Sequence, residues 1–149
     1  MRTPLSAILL ILSWEQLRLR SYVDAAGHRT IGWGHKQHPG DPSEITREQA
    51  NALFIEDLAT AEEGALRHLE GVALADHEFG ALVSFAFNAG VTALSTSTLL
   101  RKVRAGDASA HDEFRRWVYG GPEGHKEVVP GLPERRLAEE RLFLGRGPT

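Results

Sequence analysis

Residues 46–70 set the scale of any fold this chain can adopt. Thr46-Arg47-Glu48-Gln49 fits a capping box, in which the threonine oxygen and the glutamine side chain each satisfy a free amide of the first turn. From there Ala50, Leu53, Phe54, Leu58, Ala61, Ala65, Leu66 and Leu69 keep helical spacing, so they share one face. The opposite face is acidic, with Glu48, Glu56, Asp57, Glu62 and Glu63. A helix this long and wet on one side is expected to bridge two lobes. The whole chain has 149 residues, enough for one compact domain divided in this way and too few for two ordinary independent domains.

The other elements follow from local signals. At the N-terminus Thr3 can cap a helix and Pro4 fits its first position, where a missing N–H costs nothing; this helix is expected to run to about Leu17. The longest apolar run, residues 7–12, is far short of the roughly 20 residues a membrane span needs. It also lacks a small-residue cleavage site. It reads as a buried first helix, with neither stable membrane insertion nor an export signal. Residues 21–24 and 28–35 flank Ala25-Ala26-Gly27 and predict a hairpin, whose Gly32 and Gly34 point to close backbone approach. Residues 36–45, with Pro39-Gly40-Asp41-Pro42, are loop. Further helices are expected over 79–87, 97–104, 110–119 (stopped by Gly120-Gly121-Pro122) and 133–143. The fold class is therefore α+β, mainly α.

Composition removes several function classes. The chain has no cysteine, which excludes disulfide staples, thiolate metal sites and cysteine nucleophiles. Net charge is −3 and no basic stripe stands out, which argues against nucleic acid as a partner. His28, His35 and His38 cluster near the hairpin, but their spacing matches no zinc motif. No metal or other cofactor is expected, and His35 is assigned to packing and hydrogen bonding within the hairpin. Trp33, Trp117 and Tyr119 could stack on sugar faces, although aromatic residues so placed are more often core.

Two carboxylates are placed for glycoside hydrolysis, which needs one acid to protonate the leaving oxygen and a second carboxylate to activate water or attack directly. Glu15 lies near the end of an otherwise apolar helix beside Trp14, a setting that favours its protonated form. Asp24 lies at the hairpin turn, where a carboxylate stays wet and ionised. Thr30, across the hairpin, offers a hydroxyl to help hold a water. Taken alone, a glutamate at a helix end is usually solvated, and an aspartate before Ala-Ala-Gly is usually a turn residue.

The wider pattern decides between these readings. Glu15-x8-Asp24-x5-Thr30, followed by Ile31-Gly32-Trp33-Gly34-His35, resembles the active-site segment of the phage-type lysozymes, glycoside hydrolase family 24. Ile45-Thr46-x-Glu48-Gln49-Ala50 resembles the start of that family's long helix. Ala81-Leu82-Val83-Ser84-Phe85-Ala86-Phe87-Asn88-x-Gly90, Ser97-Thr98-Leu99-Leu100, Arg116-Trp117 and Gly131-Leu132-x-x-Arg135-Arg136 are similar to later segments, in order. Three positions depart from the pattern: Gln16 stands where glycine is usual, Gly80 where aspartate is usual, and Leu94 where an aromatic is common.

The resemblance implies a lysozyme-like fold. A small lobe (about 15–45) and a helical lobe (about 71–149 with the N-terminal helix) are joined by the long helix, with a cleft between. It implies a muramidase that cleaves the β-1,4 bond between N-acetylmuramic acid and N-acetylglucosamine in peptidoglycan glycan strands. Glu15 would be the general acid, and Asp24 with Thr30 would activate water in an inverting displacement. Lys36, Phe87, Asn88, Ser97 and Arg135 would contact substrate, with Arg135 pairing with Glu15 across the cleft. Such an enzyme is expected to act as a monomer in host cell lysis, and to reach the wall from the host cytoplasm after a separate holin-like partner permeabilises the membrane. Two alternatives use the same substrate. A lytic transglycosylase needs no Asp24 or Thr30, and a non-catalytic wall-binding module needs neither carboxylate.

Overall fold

The computed structural model describes residues 1–120 and 127–147. Helix α1 (Leu5–Glu15) leads into an antiparallel sheet of β1 (Arg18–Val23), β2 (Arg29–Gly32) and β3 (His35–Lys36), in that spatial order. Then come α2 (Arg47–His68), α3 (Asp76–Ala89), α4 (Val91–Thr96), α5 (Thr98–Arg104) and a 3-10 helix (Ala110–Arg116). A short pairing of β4 (Tyr119–Gly120) with β5 (Glu127–Val128) precedes α6 (Leu132–Phe143). Among the described residues no helix is long and apolar enough to cross a membrane.

The capping box of α2 forms as its sequence dictates. Thr46 Oγ1 accepts from the Gln49 amide at 3.1 Å, and Gln49 Oε1 accepts from the Thr46 amide at 2.8 Å. Ala50, in the first turn, packs with Ile31 and Ile45 against the sheet. Ala61 and Ala65, three and four turns on, join a second and larger cluster with Phe79, Leu82, Phe85, Leu99 and Phe114. One helix thus carries two separate cores, one near each end. Its acidic face is only partly idle, because Asp57 bonds His35 and Glu62 takes both the amide and the hydroxyl of Thr3.

Helix α3 is the centre of the larger core, buried from Phe79 through Ala86. Gly80 is what lets α1 close on it. A Cβ there would lie 2.8 Å from Pro4 Cγ and 2.9 Å from Ala7 Cβ, which gives the departure from aspartate a packing reason. Leu94, where an aromatic is common, is fully buried in the same core.

Several elements differ from their sequence reading. Helix α1 stops at Glu15, two residues before Leu17, because Gln16 turns to φ +40°, ψ 140°. Thr3 does not cap it, since its hydroxyl is taken by Glu62. Nor is the helix buried: Ala7 and Ile11 are, but Leu5 and Leu9 remain 68% and 56% exposed, because only one side of the helix meets α3. The stretch read as one strand over 28–35 folds back on itself. Positive φ at Gly32 (+66°) and Gly34 (+73°) makes the turn and sets Ile31 opposite His35. Residues 110–116 wind as a 3-10 helix, a form common in short connectors, with only Ala110, Glu113 and Phe114 buried. Tyr119 belongs to a strand instead, and the expected stop at Gly121-Pro122 lies outside the described residues.

Candidate active site

A cavity of about 610 Å³ opens between the end of α1, the β1–β2 hairpin and the start of α6. Glu15 and Asp24 both line it. Glu15 arrives there because α1 ends on it, and the backbone of the β2–β3 turn closes over it: a Cβ at Gly34 would overlap the Glu15 carboxylate. Hence the glycine, which a positive φ also favours. The Glu15 side chain is 15% exposed and its Oε1 accepts from Arg135 Nη1 at 2.5 Å. Arg135 comes from the first turn of α6 and is itself buried.

Asp24 opens the hairpin turn. Its amide donates to the His28 carbonyl at 2.8 Å, and its Oδ1 accepts from the amides of Ala26 (3.0 Å) and His28 (2.8 Å). It is therefore a turn residue, as its local sequence predicts, and a wall of the cavity at once. Neither hydrogen bond uses Oδ2, and the side chain is 27% exposed. Thr30 is buried behind the turn, its hydroxyl donating to the His28 carbonyl at 2.8 Å, and it is not among the residues that line the cavity.

The remaining candidates separate into two groups. Lys36 and Asn88 stand where the main cavity meets a second one of about 300 Å³, which Phe87 also lines, so the cleft continues between the hairpin and α3. Phe87 packs on Phe54 with ring centroids 5.6 Å apart. Ser97 lines neither cavity. It caps α5, accepting from the Leu100 amide at 3.0 Å and donating to the Leu94 carbonyl at 2.7 Å. Trp117 and Tyr119 line the main cavity, whereas Trp33 packs against the small core and donates to Asn51 Oδ1 at 2.9 Å.

Charge around the two carboxylates is largely positive, from Arg18, Lys36, Arg135 and Arg136. The Tyr22 phenol is pushed up by burial and then by the negative charge of Glu15, with Arg18 opposing from 4.7 Å over its ring. Burial pushes the Arg136 guanidinium down, and Glu139 counters it. The hairpin histidines have separate partners. His28 Nδ1 lies 3.6 Å from Asp24, while His35 Nδ1 bonds Asp57 at 2.8 Å, so His35 ties the sheet to α2 instead of bonding within the hairpin. Among the described residues, His111, Asp112 and Glu140 lie close enough to hold a cation. Arg115 already donates to both oxygens of Glu140, at 2.8 and 3.0 Å.

Sequence reasoning missed the residues behind the pair. Arg136, Glu139 and Ser84 form a buried polar cluster next to Arg135 and Asn88. Two signals for it were present: a glutamate three and four positions after Arg135-Arg136, and a lone hydroxyl inside the apolar run of α3. One carboxylate paired with arginine and largely buried, and another on a wetter turn, line a single cavity, and glycoside hydrolysis calls for two carboxyl groups flanking one bond.

Known proteins share this architecture. A family model described as phage lysozyme matches residues 12–139. The endolysin of Acyrthosiphon pisum secondary endosymbiont phage 1 is 40% identical, over 91% of this chain and 93% of its own length. The endolysin of Bacillus phage PZA is 37% identical over 99% of this chain, which spans only 57% of that relative. The solved endolysin from Escherichia coli O157:H7 phage FAHEc1 superposes with a TM-score of 0.83 at 30% identity, covering 97% of this chain and 94% of that one.

Proposed function

We propose, from the premise that this chain belongs to the phage lysozyme family, that Glu15 and Asp24 cleave the glycan strand between them. The protein is a glycosidase of the endolysin type, a peptidoglycan hydrolase serving host lysis. The bond is the β-1,4 link from N-acetylmuramic acid to N-acetylglucosamine. Glu15 gives its proton to the glycosidic oxygen as the bond from that oxygen to the sugar's C1 breaks. Asp24 takes a proton from a water whose oxygen bonds C1 from the opposite face, so the anomeric centre inverts in one displacement. Thr30 supports Asp24 through the turn, its buried hydroxyl donating to the His28 carbonyl.

The observation that carries this reading is the shared cavity, with Glu15 tied to Arg135 on one side and Asp24 on the hairpin turn at the other. Lys36, Phe87 and Asn88 extend the strand's path into the second cavity. Ser97 acts on substrate only through α5, which it caps. Arg135 is a contact to Glu15 first and to sugar second. The enzyme works as a monomer and crosses from the host cytoplasm to the wall once a holin-like partner opens the membrane.

The anomer released from a defined glycan oligomer, followed by proton NMR in the first minutes, tests the mechanism. Inversion gives the α-anomer first. A β-anomer would make Asp24 a nucleophile, and a 1,6-anhydro end would make the enzyme a transglycosylase.

A further inference from the structure

Glu139 is fully buried on α6, one turn beyond the arginine that meets Glu15. Its Oε2 accepts from Ser84 Oγ of α3 at 2.5 Å and lies 3.4 Å from Arg135 Nε and 3.4 Å from Arg136 Nη2. Its Oε1 lies 2.9 Å from Arg136 Nε. Positions three and four apart share one helix face, so one carboxylate reaches two consecutive arginines. The same guanidiniums also reach the cleft: Arg135 Nη1 donates to Glu15 Oε1, and Arg136 Nη2, the nitrogen that also nears Glu139, donates to Asn88 Oδ1 at 2.7 Å. Arg136 is further fixed with its guanidinium carbon 5.1 Å from the centre of the Phe85 ring. Both arginines are almost wholly buried, and two adjacent buried cations require a counter-charge.

We propose that Glu139 is a positioning residue for the reaction: its single carboxylate holds Arg135 and Arg136, so that one presents the Glu15 acid and the other the Asn88 amide. The inference rests on the reading of Glu15 as the acid. It also gives Ser84 a role, since the hydroxyl locks the carboxylate to the central helix. Without Glu139 the two arginines keep their charge but lose the group that offsets and orients them.

The charges facing Glu15 are Arg135 and Arg136 from α6 and Arg18 from β1, with the Tyr22 phenol beside them. Asp24, His28 and Lys36 share its cavity. In Glu139→Gln two of these cations are no longer offset, so Glu15 gives up its proton at lower pH. The alkaline limb of the kcat/KM profile should then move down by about one pH unit, a loss of about tenfold on that flank. The Glu15 carboxyl followed by carbon-13 NMR should titrate lower by the same amount. A uniform loss with an unmoved limb and unmoved titration in the folded variant overturns the proposal.

Should Glu139→Gln fail to fold, Glu139→Asp keeps the charge and shortens the reach by one methylene. Positioning then predicts a lowered kcat, because Glu15 is displaced, together with a raised KM, because the Asn88 amide on the substrate path is displaced too; a wild-type kcat overturns it. Wall lysis retained by Glu15→Gln would sink the acid reading and leave the carboxyl titration standing, so the two failures are distinct.

Discussion

Gly34 and Gln16 both flank Glu15 and meet the same backbone demand, a positive φ, with different residues. At Gly34 a positive φ and a carboxylate where a side chain would begin both require glycine. Gly34→Ala is expected to cost about 1–3 kcal/mol by backbone strain and to displace Glu15, with wall lysis lost beyond what the lower melting temperature explains. A variant with full activity would show that Glu15 does not rest against this turn in the working enzyme. Gln16 takes φ +40°, a region that favours glycine, and its side chain is exposed. Relief of that strain outweighs the added freedom of the unfolded chain, so Gln16→Gly should raise stability by about 1 kcal/mol, read from denaturant melts. A loss of stability would mean that the Gln16 side chain makes a contact worth more than the strain.

Between elements, the joint of α6 with the 3-10 helix depends on Glu140, which is buried between Arg115 and His111. Burial pushes its carboxyl up, but hydrogen bonds from Arg115 and His111 outweigh that and hold it below its ordinary 4.5. A carboxyl lowered in the folded state adds stability that is fully present above its unfolded value and is lost as pH falls through its folded one. Glu140→Gln should therefore melt lower near neutrality and lose less stability than wild type below about pH 4.5; parallel acid slopes would contradict this. The joint of α1 with α3 depends on Gly80, where the aspartate usual at that position would drive into Pro4 and Ala7. Gly80→Asp should cost about 1–3 kcal/mol by overpacking, and a neutral effect would mean that α1 shifts freely. The long helix was legible because its capping box and apolar stripe are both local signals. The exposed leucines of α1 were not, because an apolar run does not say how many neighbours will cover it. The turn between β2 and β3 was half legible: its glycines marked close approach, but the fold-back needed their φ values.

At the scale of the molecule, α2 carries a small core near one end and a large one near the other, and the cleft lies between the sheet that the first supports and the helices that the second holds. That Glu15 and Asp24 line one cavity was legible because a motif brought them together, and the contact of Arg135 with Glu15 because its segment matched. The buried cluster behind them was not, since contacts from α6 to α3 and α1 are tertiary and leave only charge spacing in the sequence. Ser97, expected in the cleft, lines neither cavity and caps α5 instead, the local role most common for a serine before a helix. The proposed reaction depends first on Glu15. Wall lysis by Glu15→Gln, measured as turbidity loss at equal concentrations of folded protein, should fall by about 10²–10⁴-fold, with a melting temperature equal to wild type or slightly higher. A folded variant that keeps most of its lytic rate would contradict it.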